Sequence, residues 1–157
     1  MIIDSDNGAT SALISNIPAE NLNIVYDNLG IARPNEDQIY KINIKDYSLF
    51  LRVLFNATYL SPENSEKALE ILSRATYANG IVAGIPAGTT VSHKYGEHVD
   101  TDSAGNPIGF ELHDCGLVYA AQDPYLLCVM TKGKQLGNLE NVISTISKKV
   151  TDAVEKK

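Results

Sequence analysis

Phe110-Glu111-Leu112-His113-Asp114-Cys115-Gly116-Leu117-Val118-Tyr119 is followed, after a short polar stretch ending Gln122-Asp123-Pro124, by Tyr125-Leu126-Leu127-Cys128-Val129-Met130-Thr131. Both runs are rich in residues that favour strands, and the Gln-Asp-Pro between them is turn chemistry. A hairpin that brings Tyr119 against Pro124 sets Glu111 opposite Lys132, His113 opposite Met130, Leu117 opposite Leu126 and Cys115 opposite Cys128. Opposed charges and matched apolar pairs favour that register over its one-residue slips. Directly opposed cysteines are within bonding reach. Two buried thiols are the expected state and a disulfide is the alternative.

Working outward, Thr89 to Lys94 reads as a further strand, joined to the hairpin through turn residues Ala104-Gly105-Asn106-Pro107. Leu136 to Val154 carries Leu139, Val142, Ile143, Ile146, Val150 and Val154 on one stripe. This predicts a long terminal helix covering the sheet, with Val142, Ile146 and Val150 as core packing and not a partner-binding face. Upstream the period is helical. Ile2 to Asn16 is predicted as a helix stopped by Pro18, and Ala19 to Asn28 as a second, with Gly30 as its cap. Ile31 to Asn43 reads as loop. Lys45 to Ala57 has Tyr47, Phe50, Leu51, Leu54 and Phe55 at helical spacing, with its start near Asn43 or Ile44. Ser61-Pro62-Glu63 opens another helix, to about Ala75, with a cap, a proline and an early acid. Helices first, then a three-strand antiparallel meander, then a covering C-terminal helix, is an α+β arrangement. The chain of 157 residues is expected to form a single domain, with a helical part to about residue 78 and the sheet plus terminal helix beyond.

Apolar residues make up 44% of the chain and charged residues 20%, which is globular composition, and the formal charge is −6. The acidic balance argues against nucleic acid and anionic membrane surfaces, both of which call for a basic patch. No apolar run approaches the roughly 20 residues of a membrane span. The start Met1-Ile2-Ile3-Asp4-Ser5-Asp6-Asn7-Gly8 has neither the basic flank nor the apolar stretch of a secretory leader.

Two short segments stand out as candidate chemistry. Ser5-Asp6-Asn7 lies just ahead of a helix, and His93-Lys94-Tyr95-Gly96 lies on the strand that follows Gly84-Ile85-Pro86-Ala87-Gly88. Each alone is commonplace, as turn, cap or surface. In this order they resemble two of the three motifs, Ser-x-x-Lys, Ser-Asp-Asn and Lys-Thr-Gly, that mark class A β-lactamases and penicillin-binding proteins. From Met1 to its end the chain resembles the C-terminal part of that serine hydrolase family, including the Ala-Gly-Ile-Pro-Ala-Gly lead into the strand and the closing helix.

The resemblance implies part of a β-lactamase-like fold, incomplete at its N-terminal side, and acyl transfer at an amide or β-lactam carbonyl. It implies a β-lactam or peptide-like substrate, no cofactor and an extracytoplasmic setting. Ser5 would relay a proton to the leaving group, Asn7 would orient substrate and nucleophile, and Lys94 would set a positive charge beside Ser5 and the substrate carboxylate. Gly96 would leave room for substrate along the strand edge, and the Glu97 backbone N–H would serve the oxyanion hole.

Three departures temper this. No serine has a lysine three positions on, so the nucleophile motif is absent from these residues and the chain alone is expected to be inactive. Tyr95 stands where the motif has threonine, whose hydroxyl would bind a substrate carboxylate. Between Asn28 and Asn43 the lone glutamate is Glu36, expected to be a solvated loop acid and not a deacylating base. A non-catalytic binding module with a degenerate groove is therefore the alternative. Removal of the family's first strands and nucleophile helix would leave open apolar surface, so self-association or pairing with that missing part is expected.

Asp100-Thr101-Asp102-Ser103-Ala104-Gly105 with Glu111 approaches a calcium-loop spacing but fails at Ala104 and sits between strands, so a polar hairpin loop is expected. His93, His98, His113 and Glu97 match no zinc spacing; His93 and His113 are expected to be strand side chains hydrogen-bonded near the site, and no metal is expected.

Overall fold

The computed structural model describes residues 1–34 and 41–156. Four helices come first: α1 (Asn7–Asn16), α2 (Ala19–Leu29), α3 (Ile44–Phe55) and α4 (Pro62–Ser73). A 3-10 turn (Val82–Gly84) leads into β1 (Val91–Thr101), β2 (Pro107–Val118), β3 (Tyr125–Gly133) and α5 (Leu136–Val154). The sheet is antiparallel in the order β1-β2-β3. α5 covers one face, and α3 and α4 lie on the other.

Local chemistry accounts for the helix ends. Asn43 accepts the Asp46 N–H and Ser61 accepts the Asn64 N–H, each satisfying a first-turn donor that has no partner within the helix. Pro62 occupies the first turn of α4, where its missing N–H costs nothing. Gly30 ends α2 at φ 67°, a left-handed conformation that glycine adopts without penalty.

The expected hairpin register holds: Glu111 faces Lys132, His113 faces Met130, Cys115 faces Cys128 and Leu117 faces Leu126. Side-chain alternation then sorts the sheet into two cores. Ile81, Val91, Leu112, Val118, Val129, Leu139 and Ile143 pack on the α5 side. Leu51, Leu72, Cys115 and Leu117 pack on the α3/α4 side.

Four expectations are corrected. Cys115 and Cys128 are joined as a disulfide and are not free thiols, as direct opposition in the ladder allows. The first helix starts at Asn7, not Ile2, because Asp6 caps it by accepting the Ala9 N–H at 2.6 Å. Ile2 packs against the α3/α4-side core, and the Ile3 carbonyl accepts the Thr76 N–H at 3.0 Å. β1 runs past Lys94 to Thr101, since its polar residues Glu97, His98 and Asp100 are held by ladder pairing with β2 that no apolar alternation announces.

The fourth correction concerns α5. Its inward residues are Leu139, Ile143, Ser147 and Thr151, whereas Val142 and Ile146 are exposed. The hydroxyls are satisfied inside: Ser147 donates to the Ile81 carbonyl at 2.8 Å, and Thr151 pairs with the Tyr125 hydroxyl at 2.7 Å. Small inward groups let the helix approach closely. A Cβ on Gly84 would lie 2.3 Å from the Ser144 carbonyl oxygen, so only glycine fits there.

At the far end of the sheet, the Asp102 carboxylate accepts the backbone N–H groups of Ala104 and Asn106, closing a polar hairpin loop. Just inside it, Lys132 on β3 contacts Asp100 on β1 and Glu111 on β2, each at 2.8 Å. These hydrogen bonds hold both carboxyls below their ordinary values and raise the lysine. Glu36 lies outside the described residues.

Two outcomes follow. Ile143 is fully buried between α5 and the sheet, so Ile143→Ala should lower unfolding stability by about 3 kcal/mol in a denaturant titration. The Asp100–Lys132–Glu111 cluster stabilises the fold only while its carboxylates are charged. Because their folded values are depressed, that contribution is full above the ordinary values of 3.8 and 4.5 and is lost as pH falls through the lower folded ones. The thermal-midpoint advantage of the wild type over Lys132→Met should thus be constant near neutral pH and vanish in acid; an advantage unchanged by acid would contradict the assignment.

Candidate functional site

Lys94 sits at the fourth position of β1, an edge strand, opposite Cys115. Its neighbour Ser92 donates to the Leu69 carbonyl of α4 at 2.8 Å, which fixes this part of β1 against the helical layer. Lys94 Nζ donates to Ser5 Oγ at 2.6 Å, across a sequence separation of 89, and also to the Tyr95 carbonyl oxygen. Ser5 immediately precedes the Asp6 cap of α1 and has φ 50°, a left-handed conformation uncommon outside glycine.

Around this pair the environment is drier than a surface. Lys94 is half-buried, and burial holds its ammonium below the ordinary lysine range, with the Asp114 carboxylate acting in the opposite direction. The Tyr47 hydroxyl of α3 donates to the Lys94 carbonyl at 3.4 Å. Burial and the charge of Asp114 push that phenol up to about 12, so it stays a neutral donor.

Beneath Lys94, on the α5 side of the sheet, His93 Nδ1 lies 2.9 Å from Asp114 Oδ1. The Ile81 N–H donates to Asp114 Oδ2 at 2.8 Å. His93 and Asp114 are each 1% exposed, so this is a buried polar tie between two strands and the turn before β1. His93 Nε2 is buried without a hydrogen-bond partner among the described residues. Room for the imidazole comes from Gly116, its partner in the ladder, where a Cβ would lie 2.6 Å from His93 Cβ.

Of the residues singled out from sequence, Ser5 and Lys94 are brought together. Asn7 opens α1 two residues from Ser5 with its side chain exposed. Tyr95 turns its ring onto Tyr77, with centroids 3.9 Å apart and planes inclined by 17°. Gly96 and Glu97 line a cavity of about 700 Å³ that extends along the sheet past His98 and His113. A Cβ at Gly96 would meet nothing within 4 Å, so the space beside the strand is open. His113 accepts the Thr131 N–H at Nδ1 and is partly exposed, whereas His93 is in the core.

Sequence reasoning missed Asp114, Tyr77 and Tyr47. Asp114 faces Tyr95 in the ladder, and Gly116 facing His93 was the available signal for a large side chain folded across that position. Tyr77 and Tyr47 carry none.

Chemically, the pair offers a hydroxyl polarised by an adjacent cation of reduced proton affinity, two residues along β1 from Gly96 and its open cavity. Such an arrangement passes a proton between a bound group and solvent, and stabilises developing negative charge. Among the described residues no group of histidine, cysteine and acidic side chains is arranged to hold a metal ion, and no helix is long and apolar enough to cross a membrane.

The chain matches the model of the beta-lactamase enzyme family Beta-lactamase2 over residues 1–154. Among solved structures it superposes on PBP-A with a TM-score of 0.75 at 22% identity, over 100% of this chain and 59% of that one. A PBP-A mutant solved as an acyl-enzyme complex with penicillin G gives 0.76 at 24% identity, over 100% and 60%. A beta-lactamase from Sphaerobacter thermophilus gives 0.75 at 20%, over 99% and 61%. The chain thus spans about three-fifths of the structures it resembles. No curated protein sequence matches. The α+β architecture is that of class A β-lactamases and PBP-A, and the chain belongs to the beta-lactamase enzyme family.

Proposed function

We propose that these residues form the C-terminal part of an acyl-transferring serine hydrolase acting on an amide or β-lactam carbonyl, with Ser5, Asn7 and Lys94 as its catalytic shell and Tyr95, Gly96 and Glu97 along the substrate edge. The observation that carries the reading is the 2.6 Å contact between Lys94 Nζ and Ser5 Oγ. In this role Lys94 holds the Ser5 hydroxyl ready to hand its proton to the departing group. Burial lowers the proton affinity of Lys94, which eases passage of a proton through the pair. The Glu97 N–H serves as an oxyanion donor, and the cavity beside Gly96 admits a β-lactam or peptide-like substrate.

The nucleophile comes from elsewhere. No serine here has a lysine three residues on, and acyl-enzyme formation needs such an activated serine within reach of its base. A segment outside these 157 residues supplies it. The surface that receives the segment includes α1 and α2, which hold no buried residue, and the link between them; together they expose Leu13, Ile14, Ile17 and Ile24. An extracytoplasmic setting follows from the family. A second reading, a binding module without chemistry, draws on Tyr95, whose ring packs on Tyr77 and whose position offers no threonine hydroxyl to a ligand.

Two serine-reactive probes separate the readings: a fluorescent penicillin, which bears a carboxylate, and a fluorophosphonate, which bears none. The reading frame extended upstream to include a Ser-x-x-Lys should be labelled covalently, and the 157-residue chain should not. In that longer protein Lys94→Met should slow labelling about a hundredfold. Absence of labelling by both probes would leave the binding module as the better account. For the isolated chain, the exposed apolar helices predict self-association, seen in light scattering as a mass above that of one chain. A monomer at high concentration would speak against it.

A further inference from the structure

Tyr95 is where the chain departs from its family's motif, and the structure puts that side chain to a definite use. Lys94 Nζ lies 4.7 Å from the centroid of the Tyr95 ring, within the range of a cation–π contact. The same ring is stacked on Tyr77. Tyr77 is anchored in turn, since its hydroxyl donates to Glu140 Oε1 at 3.4 Å, and Asn79 Nδ2 donates to that oxygen at 3.0 Å. The aromatic wall beside Lys94 is therefore held from α5 and cannot swing freely away.

An ammonium has three N–H groups. For Lys94 one goes to Ser5 Oγ, one goes to the Tyr95 carbonyl oxygen, and the ring face of Tyr95 takes the remaining side. A substrate carboxylate would have to displace one of these contacts. Beyond the strand edge the charge is also unfavourable to an anion. The cavity beside Gly96 is lined by the carboxylates Glu97, Asp100 and Glu111 against the ammoniums of Lys41 and Lys132. Of those two, Lys132 is already bonded to Asp100 and Glu111.

We infer that the Tyr77–Tyr95 stack caps Lys94 and makes the cleft select ligands that present a neutral group, not a carboxylate, to that lysine. Tyr95 is on this account a positioning and specificity residue acting through Lys94. The inference rests on the cleft being the substrate site, as proposed above, but its test needs no turnover.

The test is a titration of the isotope-labelled protein, with the Lys94 side-chain NMR signals as the readout. The probes are acetyl-D-alanine, which carries a carboxylate, and acetyl-D-alaninamide, which does not. In the wild type and in Tyr95→Phe, which keeps the ring, Lys94 should bind the acid no more tightly than the amide. In Tyr95→Thr it should bind the acid about tenfold more tightly than the wild type does, the size expected for one freed charge-assisted hydrogen bond. A wild-type preference for the acid would overturn the inference, and that comparison stands even if the threonine variant fails to fold. A gain in Tyr95→Phe, or none in a folded Tyr95→Thr, would overturn it too. A protein that labels with penicillin yet prefers the acid at Lys94 loses this inference alone. One that labels with neither probe but shows the expected preference keeps the cap and loses the hydrolase.

Discussion

A hydroxyl next to the cap of the first helix meets an ammonium on the first strand, and the rest of the structure can be understood as the means of holding that contact. Neither partner is anchored locally. Ser5 is set by the turn that ends in the Asp6 cap, and Lys94 by the ladder with β2 and by α3 and α4 behind it. A contact spanning 89 residues survives only if both supports are rigid, because a long flexible loop would otherwise have to be closed at a cost in entropy for one hydrogen bond.

Rigidity on the strand side comes from an uncommon source. Most of the core beneath β1 is aliphatic, yet at its centre His93 and the Ile81 N–H converge on the Asp114 carboxylate. An unpaired carboxylate there would be costly, so every member of the tie depends on the others. Burial of this anion also reaches the site at a distance. Its charge opposes the effect of burial on Lys94 and adds to the burial that already raises the Tyr47 phenol. Gly116 and Gly80 make the arrangement possible. A Cβ at Gly80 would lie 2.3 Å from Asp114 Oδ2.

What the sequence disclosed follows from which forces act locally. The β2–β3 register was legible because charge and size complementarity between opposed residues are written residue by residue. Helix starts at Asn43 and Ser61 were legible because caps are local. The far half of β1 was not, since Glu97, His98 and Asp100 become strand through pairing with a partner distant in sequence. The stripe on α5 misleads because apolarity is not the mark of burial there: the helix seats itself through Ser147 and Thr151 beside Leu139 and Ile143. For the cleft, the motif serine and lysine could be named from the resemblance of their segments to the family's Ser-Asp-Asn and Lys-Thr-Gly motifs. The Tyr77–Tyr95 stack could not, because nothing local ties residue 77 to residue 95.

That seating of α5 has a mechanical side. A helix of 19 residues is about 28 Å long at 1.5 Å per residue, and here its close approach is set near its middle by Gly84, Ser144 and Ser147. Such a rod behaves as a lever. Bulk added at the fulcrum, even a single methylene, would tilt the whole rod and lift Leu139 and Ile143 from the strands together, whereas bulk added at the outward positions Val142 or Ile146 would move nothing. Tolerance to change along α5 should accordingly follow which side of the rod a position faces, and not hydrophobicity.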